Sequence, residues 1–254
     1  MYIGTAAWAL PRALATAFPG PGPHLERYAR QLTCVEIDSS FYRPHRAATY
    51  ARWADLTPPQ FRFAVKLPRA ITHEAGLRGV AAPLRAFLAD AGALGDRLGV
   101  LLVQLPPSLA WEARVAGDFF ATLRRHWEGP VACAPRHASW FAPGADRALA
   151  RLHVSRVAVD PAPVEAAARP GGWLGPMGDG AGALLYHRWH GSPRMYWSTY
   201  DARWLARQVD RLAAWPADAV HWAIFDNTAG GGATANALAL RALAAAADRA
   251  LRAP

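Results

Sequence analysis

The strongest constraint on this chain is a repeat of pattern rather than of sequence. Eight short runs of aliphatic and β-branched residues are each bounded by turn residues and finish on polar side chains. They are Tyr2–Trp8, Thr33–Ser39, Phe61–Leu67, Val100–Leu105, Val131–Arg136, Ser155–Asp160, Ala183–His190 and Val220–Asp226. Several are apolar almost without interruption, as strands buried on both faces of a parallel sheet must be. Between most of them lie segments with apolar residues at helical spacing: His24–Leu32, Ala47–Leu56, Pro83–Leu94, Glu112–Trp127, Ala145–His153, Ala202–Trp215 and the Ala-rich Thr234–Leu251. In one of these, Asp201 is placed to cap a helix whose stripe is Trp204, Leu205, Val209 and Leu212.

Alternation of strand and helix predicts an α/β fold, and eight strands predict a single (β/α)8 TIM-type barrel spanning residues 1–254. The length of 254 residues fits, since such barrels run to about 250 residues. The interval Pro161–Gly182, rich in Pro, Gly and Ala, is expected to replace the helix between the sixth and seventh strands with a loop acting as a lid or rim.

Composition narrows the class. With 52% hydrophobic and 19% charged residues the chain can bury a core and is not of disordered type. No run approaches the roughly 20 apolar residues of a membrane span, and the first residues lack the basic region of a secretory signal. A cytoplasmic protein with no membrane partner, monomeric or weakly oligomeric, is expected. Cys34 and Cys133 sit in apolar runs and read as free buried thiols. The net charge of +9 favours anionic partners, yet there is no Lys/Arg tract of the kind that marks a nucleic-acid tail. Of 28 Lys plus Arg residues only Lys66 is a lysine, so 27 are arginine. Lysine differs from arginine as a compact charge whose pKa moves on burial.

In a (β/α)8 barrel the chemistry sits at the C-terminal strand ends. The runs end on Trp8, on Glu36 and Asp38, on Lys66, on Gln104, on Arg136 and His137, on Asp160, on Arg188 and His190, and on Asp226 and Asn227. Charged groups are rarely buried unless paired, so a ring of them marks a polar site. Glu36, Lys66, Asp160 and His190 are the candidates for acid, base or nucleophile. Trp8, Tyr42, Gln104, Arg136, His137, Arg188, Asp226 and Asn227 are candidates for substrate binding, with His73 behind them. Strand alternation sets Tyr186, Arg188 and His190 on one face and His187 and Trp189 on the other. Glycines 230–232 could admit a phosphate or merely turn the chain. Glu36, Asp38, His137, Asp160, His190 and Asp226 are all metal-ligand types, but no short-spaced signature supports a site. A divalent metal stays open, and no cofactor is assigned.

The same runs resemble a known family. Ile3-Gly4-Thr5 with Trp8, Val35-Glu36-Ile37 before Ser40-Phe41-Tyr42-Arg43, Phe63-Ala64-Val65-Lys66 leading to Thr72-His73, and Gln104-Leu105-Pro106-Pro107 look like the YecE-like family, also called domain of unknown function 72. Arg136-His137 with Ser139-Trp140, Arg188 with His190-Gly191, and Phe225-Asp226-Asn227-Thr228 continue it in order. The resemblance implies a (β/α)8 barrel and no particular activity. Likeness to barrels of sugar isomerases and abasic-site endonucleases is analogy at the level of fold. The sequence departs from the family pattern at Ala134, where a Glu is usual, at Asp38, where Asn is common, and at Ala7, where Gly is common.

The expectation is an enzyme, a hydrolase or isomerase, acting on a small anionic, sugar-phosphate or phosphoester substrate at the barrel mouth. Its alternative is a protein that binds or processes nucleic acid through its arginine surplus.

Overall fold

A computed structural model describes residues 1–177 and 181–251. In chain order the strands and helices are β1 (Tyr2–Thr5), α1 (His24–Ala29), β2 (Cys34–Ile37), α2 (Ser39–Tyr42), α3 (Ala47–Asp55), β3 (Arg62–Lys66), α4 (Ala81–Ala91), β4 (Leu98–Gln104), α5 (Ala113–Arg124), β5 (Val131–Ala134) and α6 (Pro143–Arg151). They continue with β6 (Ser155–Arg156), β7 (Ala158–Asp160), β8 (Gly171–Gly172), β9 (Pro176–Met177), β10 (Ala181–Trp189), α7 (Ala202–Ala213), β11 (Val220–Phe225) and α8 (Gly232–Leu251). The protein is a mixed α/β fold, and its main ladders are parallel throughout.

The hydrogen bonds form two sheets rather than the one ring of eight strands that the sequence predicts. One runs β1-β11-β10-β7 and the other β2-β3-β4-β5-β6-β8. They approach at two places. Ala6 bridges to Glu36 beyond the end of β1, and Gly4 makes that approach feasible, since a Cβ there would lie 2.1 Å from the Cys34 carbonyl oxygen. At the other seam, within the run that the sequence reads as unbroken over Ser155–Asp160, Val157 still donates its N–H to Cys133 O of β5 at 2.8 Å, whereas Ala158–Asp160 pair with β10. The sixth run is therefore two short pieces, β6 and β7, on different sheets.

Alternation along the strands separates two apolar clusters. One takes inward residues from both sheets: Cys34, Ala64, Val100, Leu102, Ala132 and Ala134 from one, Leu184, Tyr186, Trp222 and Ile224 from the other. The larger cluster holds the outward residues, such as Val35, Val65 and Val103, against the helices. The predicted Asp201 cap is present, with its carboxylate accepting from Trp204 N at 2.7 Å. The helix that it starts buries Leu205, Val209 and Leu212. That cap satisfies a donor that the helix itself leaves free.

Two boundaries differ from expectation. The first run stops at Thr5 because Ala7 takes a φ of 60°, which turns the chain out of the sheet before Trp8. The interval after β7 has no α-helix among its described residues, as expected, but is not featureless. A 3-10 turn over Glu165–Ala168 precedes β8, antiparallel to β6, and β9, antiparallel to β10. Among the described residues no helix is long and apolar enough to cross a membrane.

Candidate functional site

Because the ladders are parallel, β2, β3, β4, β10 and β11 all end on one side, and their inward alternation delivers Glu36, Lys66, Gln104, Arg188 and, one residue past β11, Asp226 to a common cluster. Arg188, 1% exposed, is its hub. Its Nη2 and Nε donate to the two oxygens of Glu36 at 2.8 and 3.1 Å, and Nη2 also donates to Asp226 Oδ2 at 2.8 Å. Its Nη1 donates to Gln104 Oε1 at 2.8 Å and meets His190 Nε2 at 3.0 Å. Tyr186 adds a hydroxyl donation to Glu36 Oε2 at 2.8 Å. Burial alone would pull the Arg188 guanidinium down, but Glu36 and Asp226 hold its pKa above the ordinary value.

This pairing revises the role expected of Glu36. It is fully buried, with both oxygens engaged, so it anchors the arginine beneath the mouth instead of meeting a substrate there. His190 changes role for a similar reason. Its Nε2 faces Arg188 Nη1 and Arg136 Nη2, each at 3.0 Å, and guanidinium groups only donate. The lone pair is thus on Nε2 and the proton on Nδ1. Burial, then the Arg188 and Arg136 charges, push the imidazole pKa well below its usual value. A neutral histidine whose lone pair is already taken positions the arginines rather than abstracting protons.

Asp226 is the carboxylate left with chemical latitude. Burial raises its pKa, Arg188 opposes the rise, and the Glu36 and Asp38 carboxylates add to it, leaving it pushed up to about 6. Lys66 donates to Asp38 Oδ1 at 2.6 Å and sits 4.2 Å from the centre of the Phe41 ring. That slot between a carboxylate and a ring face suits a compact ammonium better than a planar fork. Arg136 lies two residues beyond the end of β5. Among the described residues it has no carboxylate partner within salt-bridge distance, its Nε has no hydrogen-bond partner, and Ala134 on the inner face below adds none. Burial, then the Arg188 charge, lowers its pKa.

Above the cluster are two adjoining clefts of about 530 and 420 Å³. Lys66, Asp226 and Tyr42 line the first and Arg136 the second, while His73, Gln104 and Tyr196 belong to both. His73 leans on Phe41 at 4.8 Å, and burial followed by the nearby Lys66 and Arg69 charges lowers its pKa. Tyr196 and Trp197, unforeseen from the sequence, join Tyr42 as exposed aromatics on the first cleft, at 37%, 51% and 70% exposure. Their only sequence signal is an aromatic pair in the loop after His190-Gly191.

Four expected site residues stand elsewhere. Trp8 packs edge-on against Trp53 at 5.0 Å, in a recess with Pro23 and Arg52, because the turn at Ala7 carries it away. Asp160 follows the inward Val159 and therefore faces out, where its Oδ1 accepts from the Tyr200 hydroxyl at 2.7 Å. His137 faces Ser139 at 2.8 Å and caps the turn over Ala138–Phe141. Asn227 is buried and donates to Ser198 O and Asn236 Oδ1, each at 2.9 Å, tying the loop after β10 to α8. The glycines that follow serve the same seam: a Cβ on Gly230 would lie 2.3 Å from Trp197 O. Among the described residues no group of three or more His, Cys, Asp or Glu side chains could hold a metal ion.

Comparison with known proteins agrees with this arrangement at the level of family and fold. The profile of the family described as protein of unknown function DUF72 matches residues 2–254. UPF0759 protein YecE of Escherichia coli K12 is 31% identical over 173 residues, covering 66% of this chain and 61% of that protein. UPF0759 protein YunF of Bacillus subtilis 168 is 27% identical over 152 residues, 56% and 53% of the two lengths. The matched part thus spans only about three fifths of the first relative. Among solved structures, a DUF72 family protein from Enterococcus faecalis V583 superposes with a TM-score of 0.74 at 20% identity, covering 96% of this chain and 95% of that one. One from Thermotoga maritima MSB8 gives 0.73 at 20% identity, covering 95% and 98%. The family profile covers nearly the whole chain, and this chain belongs to the DUF72 family of proteins of unknown function.

Proposed function

We propose that the paired clefts are the active site of an enzyme acting on a small phosphate- or carboxylate-bearing substrate, of sugar-phosphate or phosphoester type. The two sheets, on this reading, close into a (β/α)8 barrel around their common inner cluster, with the clefts as its mouth. The observation that carries the proposal is Arg136. It is a half-buried guanidinium that meets a neutral histidine and, among the described residues, no carboxylate within salt-bridge distance. A buried cation without a counter-charge is costly, and an anionic substrate oxygen supplies that charge with a charge-assisted hydrogen bond. Lys66 provides a second contact across the cleft. Asp226, with its pKa near 6, serves as general base at neutral pH and as acid when protonated, since catalytic groups work best with pKa values near the operating pH. Glu36 and His190 act by holding Arg188 and Arg136 in place.

Titration calorimetry with inorganic phosphate and glucose 6-phosphate tests the reading. Arg136→Ala is expected to weaken binding by about tenfold or more, the usual worth of a charge-assisted bond. Equal affinity in the variant rejects it. A second reading, single-stranded nucleic acid, draws on the exposed Tyr42, Tyr196 and Trp197, because aromatic faces beside cations form stacking platforms for bases. It requires oligonucleotide affinity that falls steeply with salt and drops on Trp197→Ala.

A further inference from the structure

On the opposite face of β10 from the charge cluster lies a second cavity, of about 410 Å³. It lies between α7 and the 3-10 turn over Glu165–Ala168, where the connection from β7 to β10 contains no α-helix among its described residues. Its wall is aromatic. Trp189 of β10 meets Trp204 of α7 edge-on at 5.1 Å, and Trp215 follows α7. His187 and Gln208 line it too, each at least nine-tenths buried, and His187 Nε2 and Gln208 Nε2 have no hydrogen-bond partner. Buried polar atoms of this kind call for a partner. Burial, then the His221 ring, drops the His187 pKa to about 3, so the imidazole is neutral. At the rim stand Arg169 and Arg211, both exposed and, among the described residues, without a carboxylate within salt-bridge distance. The rim carboxylates are Glu165 and Asp160, and Asp160 is already engaged by the Tyr200 hydroxyl.

We infer that this cavity is a binding site for a small aromatic carboxylate, separate from the mouth. The flat ring lies among the tryptophans, which offer both dispersion and ring-edge complementarity. Its carboxylate reaches the rim guanidiniums in the planar fashion that arginine favours, and a ring N–H or ring nitrogen meets His187 or Gln208. The volume lies in the range of small-molecule pockets, which are typically apolar with a few convergent polar groups. A second copy of this chain would have to bury two like-charged guanidiniums, and a phosphate would leave the aromatic wall unused.

The test is titration calorimetry of the full chain with indole-3-carboxylate, with indole and with inorganic phosphate. Indole-3-carboxylate is expected to bind with a Kd of about 1 mM or tighter, as its size permits. Indole should bind about fivefold more weakly and phosphate should not compete. Arg211→Ala should weaken the carboxylate by about fivefold, the scale of an exposed charge contact, and leave indole unchanged. Trp215→Ala should weaken both, and Arg136→Ala neither. Both Arg211 and Trp215 lie outside the fully buried core, and matching thermal melts would show the variants folded. Absence of binding overturns the inference. So does binding lost in Arg136→Ala but kept in Arg211→Ala, and so does self-association that Arg211→Ala abolishes.

Discussion

The floor and the rim of the charge cluster are built from the same residue types and behave oppositely. At the floor, Arg188 has its donors distributed over Glu36, Asp226, Gln104 and His190, and Glu36 has both oxygens occupied. At the rim, Arg136 meets a neutral histidine and, among the described residues, no carboxylate within salt-bridge distance, and Lys66 and Asp226 border open clefts. A buried charge that is fully paired specifies structure and is strongly destabilising to break. A charge left short of partners at a cleft is available to a ligand. The proposed function therefore rests on what the floor leaves unsatisfied.

The largest expected effect breaks the floor. Glu36→Gln keeps the shape but removes the counter-charge under a guanidinium that is 1% exposed. Urea unfolding should report a loss of about 3 kcal/mol, the lower end for stripping one partner from a buried pair. Arg136→Ala, at the rim, should change stability by less than about 1 kcal/mol, because the wild-type arginine carries an unpartnered Nε. Equal losses in the two variants would erase the distinction between floor and rim.

A smaller effect comes from Asp226, which belongs to both regions. Its folded pKa is raised from 3.8 to about 6, so the native state binds its proton more tightly than the unfolded chain does. The stability that this contributes is fully present below pH 3.8 and disappears as pH rises through about 6. The span corresponds to about 2–3 kcal/mol. Asp226→Asn should flatten that part of the stability profile, so the variant gains on the wild type between acid and neutral pH. A variant whose profile parallels the wild type would show that Arg188 compensates the ionised carboxylate completely. Glu36→Gln should also lower the Asp226 pKa, since one of the charges that raises it is gone.

Much of this arrangement is legible in the sequence, and where it is not the reasons are local. Period-2 alternation correctly sets Arg188 and His190 together and His187 and Trp189 apart, because it depends only on strand pleating. The same rule, applied from Val157 and Val159 as inward residues, turns Asp160 outward. Pairing is less visible. Glu36 and Arg188 are 152 residues apart, and nothing near Glu36 reveals that both its oxygens are engaged. Trp8 is misplaced by a single positive φ at Ala7, a conformation that alanine does not announce. Tyr196 and Trp197 sit in an irregular loop where no period selects them. The ring of eight strands is legible as strand order and direction, whereas the break at Val157 is a hydrogen-bond choice within an apolar run.

The smallest effect probes where the rim ends. His137 adjoins Arg136 in sequence, yet its Nδ1 accepts from Ser139 N at 3.2 Å and meets Ser139 Oγ at 2.8 Å, capping a short turn. Successive residues of an extended segment face opposite ways, so the cap and the proposed anion contact fall to separate neighbouring side chains. His137→Ala should then cost about 1 kcal/mol in urea unfolding, the typical worth of a cap, while phosphate affinity stays within about twofold of wild type, a difference of about 0.4 kcal/mol. A fall in phosphate affinity as large as that of Arg136→Ala would move the rim outward to include His137. It would also mean that the turn over Ala138–Phe141 rearranges to release the imidazole when an anion binds.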